Sequence, residues 1–222
     1  IQDVLQPMRA LYLRMPAVAT LVLAVGAGYL IGGIRSALVV AALTLFIALS
    51  PWWDRALVTL YMATFGVVIS CLIGFTVGTL CFQNKKSAAF MLGVCDIFQT
   101  FPSFVYLIPV MMLFGITDTS VLIAVIVYAT IPATRYTIEG LRSVPVGLHE
   151  AATMSGVNKF QRLTKIEFPL AFPHMMLGLN QTIVFALFMV IIGAFIGTED
   201  LGQYILKALS DKNGAGIGLT LG

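Results

Sequence analysis

The stretch Glu150-Ala151-Ala152-Thr153-Met154-Ser155-Gly156, followed by Ile166-Glu167-Phe168-Pro169, lies in a polar interval between long apolar runs. Within this interval, from Leu141 to Pro173, the spacing predicts two short helices joined at a glycine. Ser143 is positioned to cap a first helix with Pro145 in its first turn, where a missing N–H costs little. Leu148, Ala151, Ala152 and Ser155 recur at helical spacing and give a narrow face of mostly small side chains, suited to close docking on another surface. Gly156 suits the left-handed residue that ends a helix. Asn158 with Gln161 three residues on forms a capping box that starts a second helix, and Pro169 and Pro173 are expected to end it at the membrane edge. A plain connector is usually short and needs no such caps, so the interval reads as a docking device.

The flanking runs set the class. Hydrophobic residues make up 59% of the chain and charged residues 10%, and mean hydropathy is +0.97. A soluble domain carries about 25% charged residues, and about 20 consecutive apolar residues cross a bilayer core. Nothing alternates with the period of two that a transmembrane barrel requires. The expectation is an all-α, polytopic transmembrane helical bundle in a single domain covering residues 1–222, contacting membrane lipid and not nucleic acid. Cys71, Cys81 and Cys95 lie in apolar segments without metal-type spacing and read as packing residues, so no metal site is expected.

Candidate spans fall at 16–34, 37–53, 56–82, 88–114, 120–139 and 173–196. Lys85 and Lys86 mark one connection, and Arg142, Lys159, Arg162 and Lys165 another, and the positive-inside rule assigns both to the cytoplasm. Pro51-Trp52-Trp53-Asp54, Gly115-Ile116-Thr117-Asp118-Thr119 and Thr198-Glu199-Asp200 then fall outside, with an external segment continuing through Lys212. The N-terminus counts out as external, against a mild opposing signal from Arg9 and Arg14. The chain starts at Ile1, and the run 213–219 begins like another span, so at least one further helix is expected in the native protein.

The span at 88–114 carries Asp96, Gln99 and Thr100 at i, i+3, i+4, just ahead of Phe101 and Pro102. A helix shows the first three on one stripe, and Pro102 breaks or kinks it just beyond. Such a stripe lines a water-filled path, or else Asp96 sits solvated near the interface; the sequence supplies no partner that would make it a proton relay. Asn180 and Gln181 form a second polar pair, for interhelical hydrogen bonds or for a path.

These segments resemble a known family. Glu-Ala-Ala, three residues, Gly, nine residues, Ile, one residue, then Phe-Pro is similar to the signature loop of binding-protein-dependent ABC importer permeases, with Phe168 where the pattern has Leu. The segment 96–109, with Tyr106 in it, Arg135-Tyr136-Thr137, 141–145, Asn180-Gln181-Thr182 and 196–203 resemble the glycine betaine, proline betaine and choline branch, over about residues 56–212. The resemblance implies a MetI-like, type I permease fold with about six complete spans and a truncated last one. It implies a bacterial inner-membrane location, a coupling helix–turn–helix at about 141–172, and contact with an ABC ATPase through Leu148, Glu150, Ala151, Ala152 and Gly156. The implied path residues are Asp96, Gln99, Thr100, Phe101, Pro102, Tyr106, Asn180 and Gln181, with Thr198, Glu199 and Asp200 at the outer gate.

Two permease copies, an extracytoplasmic binding protein and a quaternary or methylated amine complete that picture. Such a solute fits aromatic faces, and Phe98, Phe101, Phe104, Tyr106 and Tyr128 are available. Gly-x-x-x-x-Gly-Lys-Ser/Thr is absent, so ATP and Mg²⁺ are expected on a separate subunit, and no catalytic residue is expected here. No protease signature accompanies His149 and His174, which read as loop and interfacial residues. The alternative from another class is a secondary transporter or channel driven by an ion gradient.

Overall fold

The computed structural model describes residues 2–193, 201–203 and 205, and every element in it is helical. In chain order these are α1 (Gln2–Leu13), α2 (Ala17–Leu49), α3 (Trp53–Phe82), α4 (Lys85–Thr100), α5 (Phe104–Phe114), α6 (Asp118–Arg142), α7 (Val146–Met154), α8 (Lys159–Arg162), a π-helical turn (Leu163–Glu167) and α9 (Phe168–Gly193). Four helical stretches among the described residues are long and apolar enough to cross a membrane, and the bent pair α4–α5 makes a fifth.

The count differs from six at one place. The spans expected at 16–34 and 37–53 are one helical stretch, α2, broken at Gly32 and at Gly33, whose φ of +67° lies in the left-handed region. A Cβ built on Gly28 would lie 3.1 Å from Cγ2 of Val40. Twelve residues of straight helix span about 18 Å, so the two arms must fold back on each other at the glycines. The expected spans put the turn at 35–36, and the structure puts it at the glycines because only they adopt a left-handed backbone freely.

The chain forms two compact units. Among the described residues, one contains 2–62, 116–119, 190–193, 201–203 and 205. Within it, Arg9 pairs with Asp118 at 2.8 Å, Arg55 donates to Gln203 at 2.9 Å, and the Leu201 N–H donates to the Thr59 hydroxyl at 3.2 Å. The segments that the charge count puts outside, near Asp54, Asp118 and Leu201, are thus gathered at one end of this unit.

The other unit, 63–115 with 120–189, is organised around α6. Gly66, Ser70, Gly74 and Gly78 fall at every fourth position on α3. A Cβ on Gly74 would fall 2.4 Å from that of Ala133, and one on Gly78 would fall 2.6 Å from that of Thr137. Ser70 donates across the same seam to the Ile126 carbonyl at 3.0 Å. On another side of α6, a Cβ on Gly178 of α9 would lie 2.7 Å from that of Tyr136. Between lipid-bathed helices there is no hydrophobic drive to associate, so close backbone approach through small residues does the work. Cys71 and Cys95 are buried in this packing as free thiols.

Candidate functional site

The polar interval is built largely by its own caps. Pro145 is the N-cap of α7, and Ser143 instead closes α6: its hydroxyl donates to the Gly140 carbonyl at 2.7 Å, and its N–H bonds Glu139 and Gly140. The expected Ser143 cap is therefore corrected, because α6 runs to Arg142 and leaves Ser143 to satisfy its last carbonyls. Gly156 has φ +72°, Val157 N–H reaches the Ala152 carbonyl and Gly156 N–H reaches that of Thr153, each at 3.1 Å. This double bond pattern ends a helix with a left-handed glycine. Both halves of the Asn158–Gln161 capping box form, at 2.8 and 3.2 Å.

The second helix does not stop at the prolines. It continues from Lys159 through the π turn into α9 as 35 residues ending at Gly193. The expected break at Pro169 and Pro173 is corrected. The wider π turn directly ahead of Pro169 gives its ring room that a regular turn denies. At that turn Arg162 Nε donates to Glu167 at 2.9 Å, and Glu167 is 2% exposed. Leu163 and Phe168 pack beside it on a cluster of Leu141, Ala171 and Met175. The polar loop is thus joined to a span by an unbroken rod.

Of the face of small residues only Ala152 is buried, and Leu148, Ala151 and Ser155 stay open. Ala152 is 5% exposed, and Leu148, Ala151 and Ser155 line a groove of about 520 Å³ whose far wall includes Ile166, Pro169 and Leu170. What α7 and α8 present outward is Val146 at 69%, Met154 at 90% and Phe160 at 73% exposed, with Glu150 and Gly156 also open. Buried Ala152 supports the fold of the pair, and its exposed neighbours are the residues a partner could touch.

The second polar site lies between α4 and α6. The bend between α4 and α5 is 88°, so residues 88–114 hold two helices broken at the expected proline, Pro102. Pro102 has no N–H to offer the Phe98 carbonyl four residues back. The Tyr106 hydroxyl donates to that carbonyl instead and ties α5 back to α4. Tyr106 is buried, and its ring continues a chain of aromatic contacts from Phe98 through Tyr128, 5.1 Å away, to Phe185, stacked on Tyr128 at 4.8 Å.

Asp96 has a partner that spacing did not reveal. Arg135 of α6 donates through Nη1 to Asp96 at 2.5 Å and to Gln99 at 2.9 Å, and through Nε to Glu139 at 3.0 Å. Gln99, Arg135, Tyr136, Glu139, Gln181 and Phe185 line a cavity of about 450 Å³. Thr100 turns its hydroxyl onto the Ile97 carbonyl, and Phe101 and Pro102 are exposed at the bend. Asn180 is exposed and does not line this cavity, and among the described residues neither it nor Gln181 makes a side-chain hydrogen bond. Thr198, Glu199 and Asp200 lie outside the described residues.

Residues 66–220 match the family described as binding-protein-dependent transport system inner membrane component. The chain belongs to this family. As a member it is an inner-membrane component of a transport system, and several of its helices are long and apolar enough to cross that membrane. It is 90% identical over 222 residues, all of this chain and 31% of the relative, to the trimethylamine N-oxide transport system permease protein TmoV of Pelagibacter ubique. The protein of that name from Ruegeria pomeroyi is 47% identical over 93% of this chain and 32% of the relative. The glycine betaine/proline betaine transport system permease protein ProW of Escherichia coli is 32% identical over 93% of this chain and 58% of its own. The chain therefore spans about a third of the length of the Pelagibacter ubique and Ruegeria pomeroyi relatives. Its glycine seam and Arg135 cluster both fall inside the family match.

Proposed function

We propose that this chain is the membrane-embedded part of an ATP-driven importer for trimethylamine N-oxide or a closely similar methylated amine. One observation carries the reading: a capped helix pair exposes Met154 and Phe160, and its second helix runs unbroken through the Arg162–Glu167 turn into α9. Large apolar side chains displayed on a rigid, water-facing element mark an interaction site. An ABC ATPase seated there, touching Leu148, Glu150, Ala151 and Gly156, would push the rod and so move α9 within the membrane. ATP and Mg²⁺ belong to that partner. Two permease copies would face each other across the path, and an extracytoplasmic binding protein would deliver the solute. The names borne by the Pelagibacter ubique and Ruegeria pomeroyi relatives support the substrate class.

The test is uptake by the full-length permease in proteoliposomes with its ATPase and binding protein. Labelled trimethylamine N-oxide is expected to accumulate with ATP and to stop with a hydrolysis-dead ATPase. Uptake that survives there on an ion gradient would overturn the reading in favour of secondary transport. Glu150→Arg combined with Met154→Asp is expected to leave the protein in the membrane and to abolish co-purification of the ATPase.

A further inference from the structure

We infer that the cavity beside Arg135 is a transient site for the anionic oxygen of a zwitterionic methylated amine, with Arg135 and Gln181 as its specificity-determining donors. The inference rests on the importer reading. Arg135 spends Nε and Nη1 on Glu139, Asp96 and Gln99, while its Nη2 makes no hydrogen bond among the described residues. The Gln181 amide is likewise unengaged among the described residues and lines the same cavity. A guanidinium that served only to fasten α4 to α6 would not need two further donors left open, and those helices already meet where the Cys95 thiol approaches the Ile131 carbonyl at 3.8 Å.

The charges select the ligand. One guanidinium faces two carboxylates, so the trio is net negative and repels a plain anion. A plain cation is drawn to carboxylates that are already paired, and it offers nothing to the open donors. A zwitterion satisfies both poles. Its oxygen accepts charge-assisted bonds from Nη2 and the Gln181 amide, and its methylated nitrogen rests against the rings of Tyr136 and Phe185 in the field of Glu139. An ionisable cluster at the membrane-spanning level is costly unless used, which fits a solute site. Few contacts keep the site weak, as passage requires.

The experiment compares uptake per ATP of trimethylamine N-oxide and glycine betaine by the full reconstituted complex. The two solutes carry their oxygen at different distances from the nitrogen. Arg135→Lys keeps the charge but loses the planar pair of donors. Arg135→Met with Glu139→Gln removes the guanidinium donors while holding the net charge of the trio, and Gln181→Leu removes the amide. Because the same binding protein serves every variant, its own preference cancels in the ratio of the two solutes. We expect that ratio to shift at least about threefold in one or more variants, the scale of one partly exposed polar contact. A smaller shift in all three overturns the inference, since a merely structural bridge would lower both solutes alike. A wild-type complex that moves neither solute with ATP would instead overturn the importer reading.

Discussion

The loop helices and the Arg135 cluster are both polar islands in an apolar chain, but they are held in different ways. In the loop, each stabilising bond joins residues a few positions apart: Asn158 with Gln161, Val157 with Ala152, Arg162 with Glu167. In the cluster, the decisive bonds join Arg135 to Asp96 and Gln99, 39 and 36 residues away. A locally capped element keeps its shape while it moves, which suits a lever. A cluster bridging two helices changes when those helices shift, which suits a path that opens and closes.

Substitutions can break or sharpen that contrast. The largest effect is expected where the locally bonded loop is anchored in the core. Arg162→Ala removes a partner of the buried Glu167 carboxylate, and the unfolding midpoint in detergent should fall by the equivalent of about 3 kcal/mol. A surface-like loss of a few tenths would mean that the rod is not rooted there. Gly156→Val forces a β-branched residue to φ +72°, costing about 2 kcal/mol and uncoupling ATP hydrolysis from uptake. Normal transport by this variant would show that the angle between the two helices does not matter.

The cluster should behave as a unit. A double-mutant cycle of Asp96→Asn and Arg135→Gln, read by thermal unfolding, is expected to show a coupling energy of about 1–2 kcal/mol. Additive effects would dissolve the contrast between the two regions. The smallest change is expected for Asn158→Ala, about 1 kcal/mol, and it should add simply to the cluster substitutions because the sites share no partner.

How far each region could be read from residues follows from the same contrast. Gly156 and the Asn158–Gln161 box were legible because capping depends on a few neighbours. The burial of Ala152 was not, because the burial of one methyl is decided by what packs opposite. Pro102 correctly marked a break, yet its size, 88°, depends on Tyr106 reaching back to the Phe98 carbonyl. The α3 seam did leave a signal in the recurrence of Gly66, Ser70, Gly74 and Gly78 at every fourth residue, which a search for small-residue spacing would have found.

By itself the sequence determined an all-helical membrane protein with a capped helix pair between its spans, because apolar run length, charge placement and cap chemistry are local quantities. Only the tertiary structure decided that α2 folds back at Gly33, that the loop helix runs on through Pro169, and that Arg135 faces Asp96 across two helices. Those outcomes depend on which backbones approach closely, and close approach is set by pairs of side chains far apart along the chain.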